Sequence, residues 1–103
     1  MVQQNIDKII SNYLTKNIVF SEENLLATKL SLLDTLGCIY NASTYEDPMR
    51  FATRGEYGSN TNPFLVINDM QSSKEITRYL SILTRWFDYN DTFLAKEWAH
   101  PSD

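Results

Sequence analysis

The chain has 103 residues, enough for one domain or part of one. Hydrophobic residues make up 43% and charged residues 21%, a balance that folds rather than one that stays disordered. Thirteen acids against nine bases give a net charge of −4. That sign argues against a nucleic-acid partner, which requires a basic stripe to replace phosphate counterions. The longest apolar run is Phe64-Leu65-Val66-Ile67, far short of the roughly 20 residues of a membrane span. The first ten residues show no basic flank leading into an apolar stretch, so no leader is expected and the default compartment is the cytoplasm. Cys38 is the sole cysteine, which excludes an internal disulfide and a cysteine-built zinc site.

The elements follow from periodicity. Ile6, Ile9, Ile10, Tyr13 and Leu14 recur at helical spacing and predict a first helix over about 3–16. Ser21 reads as the N-cap of a second, with Glu22 and Glu23 at the positive end of its dipole. Leu25, Leu26, Leu30, Leu33 and Leu36 carry that helix to about Ile39, and Leu32 widens its apolar face. Gly37 near its end suggests close packing or a cap. Asp47-Pro48 predicts a short helix stopping at Gly55, followed by a loop marked by Gly58, Asn60, Asn62 and Pro63. Phe64 to Ile67 reads as a short strand without a partner. Ser72 to Glu75 is a capping box, and Ile76, Tyr79, Leu80, Leu83, Trp86 and Phe87 behind it form the cleanest amphipathic pattern, ending near Asp88. A turn of helix is expected over 92–98. The fold class so read is mainly α, a bundle-like helical portion.

The residues able to carry chemistry gather between 87 and 103. Asp88, Asp91 and Thr92 share a face if the last helix runs one turn further. His100 is the sole histidine, and a carboxylate beside an imidazole fixes its tautomer for proton transfer. Plainer roles stand beside these. Asn90 or Asp91 serves equally as a helix cap, and a histidine before proline is commonly a surface loop residue. Trp86, Phe87 and Tyr89 fit a core better than a ligand platform, and Lys96 and Glu97 a solvated face. Cys38, inside a leucine-rich helix, reads as a small buried hydrophobe rather than a nucleophile. The Gly55/Gly58 loop lacks the strand and helix of a phosphate-binding turn, and one histidine does not make a metal site.

The segment FDYNDTFLAKEWAHPSD, residues 87–103, resembles the signature of the MmgE/PrpD family: Asp91-Thr92 followed by His100-Pro101-Ser102. Glu97-Trp98 is similar to the 2-methylcitrate dehydratase branch. Leu32-Leu33-Asp34-Thr35-Leu36-Gly37-Cys38 resembles the family's early LLDTLGC helix, at a family-like separation. The resemblance implies that residues 1–103 are the incomplete N-terminal portion of a helical domain, in a longer enzyme with a second, α/β domain. It implies an active site using Asp88, Thr92 and His100, with Asp91 as neighbour and further residues, lysines among them, downstream. The implied reaction dehydrates 2-methylcitrate to 2-methylaconitate in propionate catabolism, without an iron–sulfur cluster or other cofactor. The implied partners are a small tricarboxylate and, in the full-length enzyme, a second copy in a homodimer.

Such an elimination needs a base, an acid for the departing hydroxyl, and cations to hold the carboxylates. His100 is expected to transfer the proton, with Asp88 positioning it or sharing the work and Thr92 binding substrate. From Arg85 onward the bases are Arg85 and Lys96, against Asp88, Asp91, Glu97 and Asp103, a field that repels a trianion. The 103 residues alone are therefore expected to be inactive. Two alternatives remain at this stage: a non-catalytic helical interaction module, and a family decarboxylase or epimerase of a related polycarboxylate.

Overall fold

The computed structural model describes residues 2–94, 96, 98 and 99. Five α-helices make up most of them: α1 (Val2–Thr15), α2 (Glu22–Ser43), α3 (Glu46–Ala52), α4 (Pro63–Val66) and α5 (Ser73–Arg85). The mainly α architecture expected from periodicity is the one observed.

The starts of α2, α4 and α5 are set by side-chain caps. The Ser21 hydroxyl accepts from the Asn24 amide at 3.1 Å and opens α2. Ser72 does the same for α5, accepting from the Glu75 amide at 3.2 Å. The Glu75 carboxylate reaches one residue further back than a standard capping box, accepting from the Gln71 amide at 3.2 Å. In α3, Pro48 falls in the first turn, where its missing N–H is not needed. Arg54 and Gly55 then take left-handed backbone, φ 55° and 82°, which turns the chain out of α3.

Three expectations are corrected. Residues 64–67 do not form a strand: Pro63 stands at the first position of α4, with the Asn62 side chain accepting from the Phe64 amide at 3.0 Å. The pair Asn62-Pro63, read as loop, is in fact a helix start, and an apolar run without a neighbouring strand gains nothing from extending. A 3-10 turn, Ile67–Asp69, completes the segment. Gly37 neither ends α2 nor permits a close approach, since a Cβ there would meet nothing within 4 Å. The expected helical turn over 92–98 is replaced by two antiparallel two-residue strands, β1 (Phe93–Leu94) and β2 (Trp98–Ala99), with Phe93 opposite Ala99 and Leu94 opposite Trp98. Aromatic residues there favour the extended form.

The core lies where the C-terminal half of α2 packs on α5, closed by α3 and α4. Ile39, Ala42, Met49, Ala52, Val66, Tyr79 and Leu83 form it. Tyr79 is fully buried, and its hydroxyl donates to the Pro63 carbonyl at 2.7 Å, joining α5 to α4. Arg78 donates to the carbonyls of Ala52 and Phe51, at 3.0 and 3.2 Å, satisfying the end of α3. The other half of the chain is bare. Among the described residues α1 makes no extensive contact with another element. Leu25, Leu26, Leu30, Leu32, Leu33 and Leu36 of α2 are exposed, as are Ile9, Tyr13 and Leu14 of α1. The radius of gyration is 17.1 Å, against about 13 Å for a compact chain of this length. No helix among the described residues is long and apolar enough to cross a membrane.

Candidate active site

Asp88, Asp91 and Thr92 sit where the chain leaves α5 and passes the middle of α2. α5 ends at Arg85, and the Asp88 amide donates back to the Arg85 carbonyl at 3.0 Å. Asp88 itself adopts left-handed backbone, φ 56°, a conformation that Asp tolerates better than most residues. This turn leaves unmet the condition, one more turn of α5, under which Asp88, Asp91 and Thr92 would share a helical face. The helix stops before all three, and the reversal at Asp88 separates their directions.

Asp88 points outward. Its carboxylate lies 3.0 Å from the Arg85 guanidinium, with the Asp88 side chain 70% exposed. Asp91 points toward α2, half-buried, and its Oδ2 accepts from the Ser31 hydroxyl at 3.0 Å. Between them Asn90 is buried. Thr92 is exposed, and its hydroxyl donates to the Asn90 carbonyl at 3.4 Å. His100 and Glu97 lie outside the described residues, so the imidazole's relation to either carboxylate is an expectation from sequence alone. The side chain of Trp98 is outside the description as well.

The α2 side of the site was not legible beforehand. Ser31, Cys38 and Asn41 follow one another at seven and three residues, a helical stripe. Asn41 donates its amide N–H to the Tyr89 hydroxyl at 2.6 Å, so Tyr89 and Asp91 both reach this helix. Cys38 is buried, as expected. Burial pushes its thiol up, and the charges of Asp34 and Asp91 push it further, so it stays protonated and a poor nucleophile. The stripe lies on the side of α2 away from its leucines, and no residue in it marks a site by type alone.

The aromatic residues depart from the expected core role. Trp86, Phe87 and Tyr89 are all exposed, because α5 has run out and they project past its last packed turn. They stack instead as an outer layer. Phe87 meets Tyr45 edge-on at 5.0 Å and Tyr89 at 5.8 Å, while Trp86 lies 6.1 Å from Phe51. Among the described residues no group of three or more His, Cys, Asp or Glu side chains is arranged to hold a metal ion.

Comparison with known proteins shows what the chain is similar to. The sequence model of the MmgE/PrpD N-terminal domain matches residues 8–103. A Saccharomyces cerevisiae protein named "Probable 2-methylcitrate dehydratase" is 30% identical over 105 residues, covering 96% of this chain and 20% of that protein. The 2-methylcitrate dehydratase of Cupriavidus necator is 30% identical over 103 residues, covering 91% of this chain and 20% of its own length. That of Escherichia coli K12 is 34% identical over 80 residues, covering 70% and 16%. The chain thus spans about a fifth of the length of the relatives it matches along most of its residues. No solved structure matches it.

Proposed function

The chain belongs to the MmgE/PrpD family, and from that membership we propose that it forms the N-terminal, helical part of a 2-methylcitrate dehydratase. The observation that carries the reading is the length of the agreement: proteins so named align along 91–96% of these residues. The rest of such an enzyme, with its α/β domain and its lysines, comes from the four-fifths of a family-length polypeptide outside this alignment.

The reaction removes water from 2-methylcitrate to give 2-methylaconitate. A proton on carbon beside a carboxylate leaves to a base, and the hydroxyl departs with a proton from an acid. We assign the proton transfer to His100, with Asp88 orienting the imidazole or sharing the acid–base work and Asp91 beside them. Thr92 binds the substrate through its hydroxyl. Arg85, 3.0 Å from Asp88, adds a guanidinium suited to a substrate carboxylate, and the exposure of that pair makes the exchange inexpensive. Between residues 85 and 103 two bases still face four acids. The 103 residues alone therefore repel the tricarboxylate and do not turn it over. We further assign the protein to the cytoplasm as a homodimer, an association supported by the exposed apolar faces of α1 and α2.

The test is a chimera in which these residues replace the matching N-terminal fifth of the Cupriavidus necator enzyme, assayed for the unsaturated product. Turnover of 2-methylcitrate, with His100→Ala and Asp88→Ala each lowering kcat by about 100-fold or more, supports the assignment. A folded chimera that leaves 2-methylcitrate intact but decarboxylates or epimerises another polycarboxylate refutes it. The exposed leucines also favour a second reading, a helical interaction module without chemistry. A folded chimera inactive on every polycarboxylate, beside a stable complex of the chain with another protein, would support that instead.

A further inference from the structure

We infer that Ser31 is a positioning residue: its hydroxyl holds the Asp91 carboxylate turned toward α2, and so sets where the segment from Asp88 to Thr92 stands. For its catalytic consequence this rests on the dehydratase reading.

The segment has no regular backbone to orient its side chains. α5 has ended, Asp88 has reversed the chain, and strand pairing begins at Phe93. Ser31 of α2, sixty residues earlier, ties the segment from another element at 3.0 Å. The direction of that hydroxyl is informative. Hydroxyls inside helices ordinarily bond back to the carbonyl four residues before. On the same helix Thr28 does so to Asn24 at 2.9 Å, and Thr35 to Ser31 at 3.0 Å. Ser31 departs from the habit and donates across the tertiary gap to a carboxylate.

A hydroxyl given to a charged acceptor makes a stronger bond than one given to a carbonyl. Ser31 and Asp91 are both half-buried, so water competes less for either. Ten residues along α2, Asn41 holds Tyr89 at 2.6 Å, a second tie on the same segment. Two bonds to one rigid helix, at residues 89 and 91, fix both position and rotation of the chain between them. Small displacements of groups that meet a reacting substrate are costly, so fixing the segment is a catalytic contribution in its own right.

The experiment has two arms. In the 103-residue chain, Ser31→Ala moves the side-chain carboxyl 13C signal of Asp91 and raises the alkylation rate of Cys38 by about threefold or more as the segment loosens. Ser31→Thr, which keeps a hydroxyl, leaves both near the unsubstituted values. In the chimera, Ser31→Ala lowers kcat about tenfold with KM changed less than about twofold, and Ser31→Thr restores most of the loss. An Asp91 signal unmoved by Ser31→Ala overturns the inference whatever the chimera does. A moved signal with kcat unchanged overturns the positioning role. A chimera inactive before any substitution at Ser31 overturns the dehydratase reading instead, and the Asp91 signal still decides whether Ser31 holds that carboxylate.

Discussion

Replacing Tyr79 by Phe deletes one oxygen from the middle of the core, and the cost follows from what that oxygen does. The side chain is fully buried, and its hydroxyl donates to the Pro63 carbonyl at 2.7 Å. Phe fills the same space apart from the oxygen, so the cavity left is small. What remains is a buried carbonyl deprived of its donor, worth about 1–2 kcal/mol. For a chain of this length each kcal/mol moves the melting temperature by about 4–8 °C, so Tyr79→Phe should melt roughly 5–15 °C lower at neutral pH, followed by circular dichroism. The hydroxyl leaves a second signature in alkali. Burial pushes the phenol up to about 12, from an ordinary 10.0. A proton held more tightly in the folded state adds stability that is intact below pH 10 and lost as the pH climbs toward 12. The Phe variant has no such proton. The gap between the two proteins should therefore be widest at neutral pH and narrow through that window. Equal melting temperatures at neutral pH, or a gap that stays constant to pH 12, would refute the reasoning.

Met49→Ala empties a fully buried site between α2, α3 and α5 and should cost about 2–5 kcal/mol, read as a lower urea midpoint with an unchanged slope. Ser72→Ala removes the cap that holds the Glu75 amide, costing about 1 kcal/mol, with faster hydrogen exchange confined to the first turn of α5. Asp91→Asn takes away one of the charges that hold the Cys38 thiol up, so alkylation of Cys38 at mildly alkaline pH should speed up. The same assay on Asp34→Asn should show a change of the same sign.

The helices were legible because their stabilising patterns are local. Ile76, Tyr79, Leu80 and Leu83 mark the buried side of α5 by spacing alone, and Ser21 and Ser72 mark two starts by side-chain chemistry. The misreadings fall where a local signal was weighed without its neighbours. Phe64 to Ile67 has strand composition, yet the helix start at Asn62-Pro63 decides the outcome. Gly37 looked like a terminator, but Cys38 and Ile39 beyond it bury against the core and carry α2 on to Ser43. The site divides in the same way. Asp88, Asp91 and Thr92 announce themselves by residue type and by family resemblance. Ser31 and Asn41 do not, because nothing in a serine's sequence neighbourhood tells whether its hydroxyl turns back on its own helix or out to a carboxylate sixty residues away.

The distribution of apolar surface bears on how the site is completed. α2 is packed on one side near Cys38, Ile39 and Ala42, whereas its earlier turns expose leucines at 25, 26, 30, 32, 33 and 36, along one broad face of the helix. A broad exposed apolar face is one built to be covered. Ser31 and Thr35 are the half-covered positions in that stretch, and Ser31 is the one that reaches Asp91. The carboxylate is thus anchored at the border between the covered and uncovered parts of α2. Under the dehydratase reading this is the useful place for it. Protein laid over the leucines would exclude water beside Asp91, and exclusion of water strengthens every charge interaction there. The local field carries an excess of acid that no tricarboxylate would approach, so that covering protein must bring the cations. Burial of the leucines and reversal of the field would then be one event, which ties the stability of the helical part to the competence of the site.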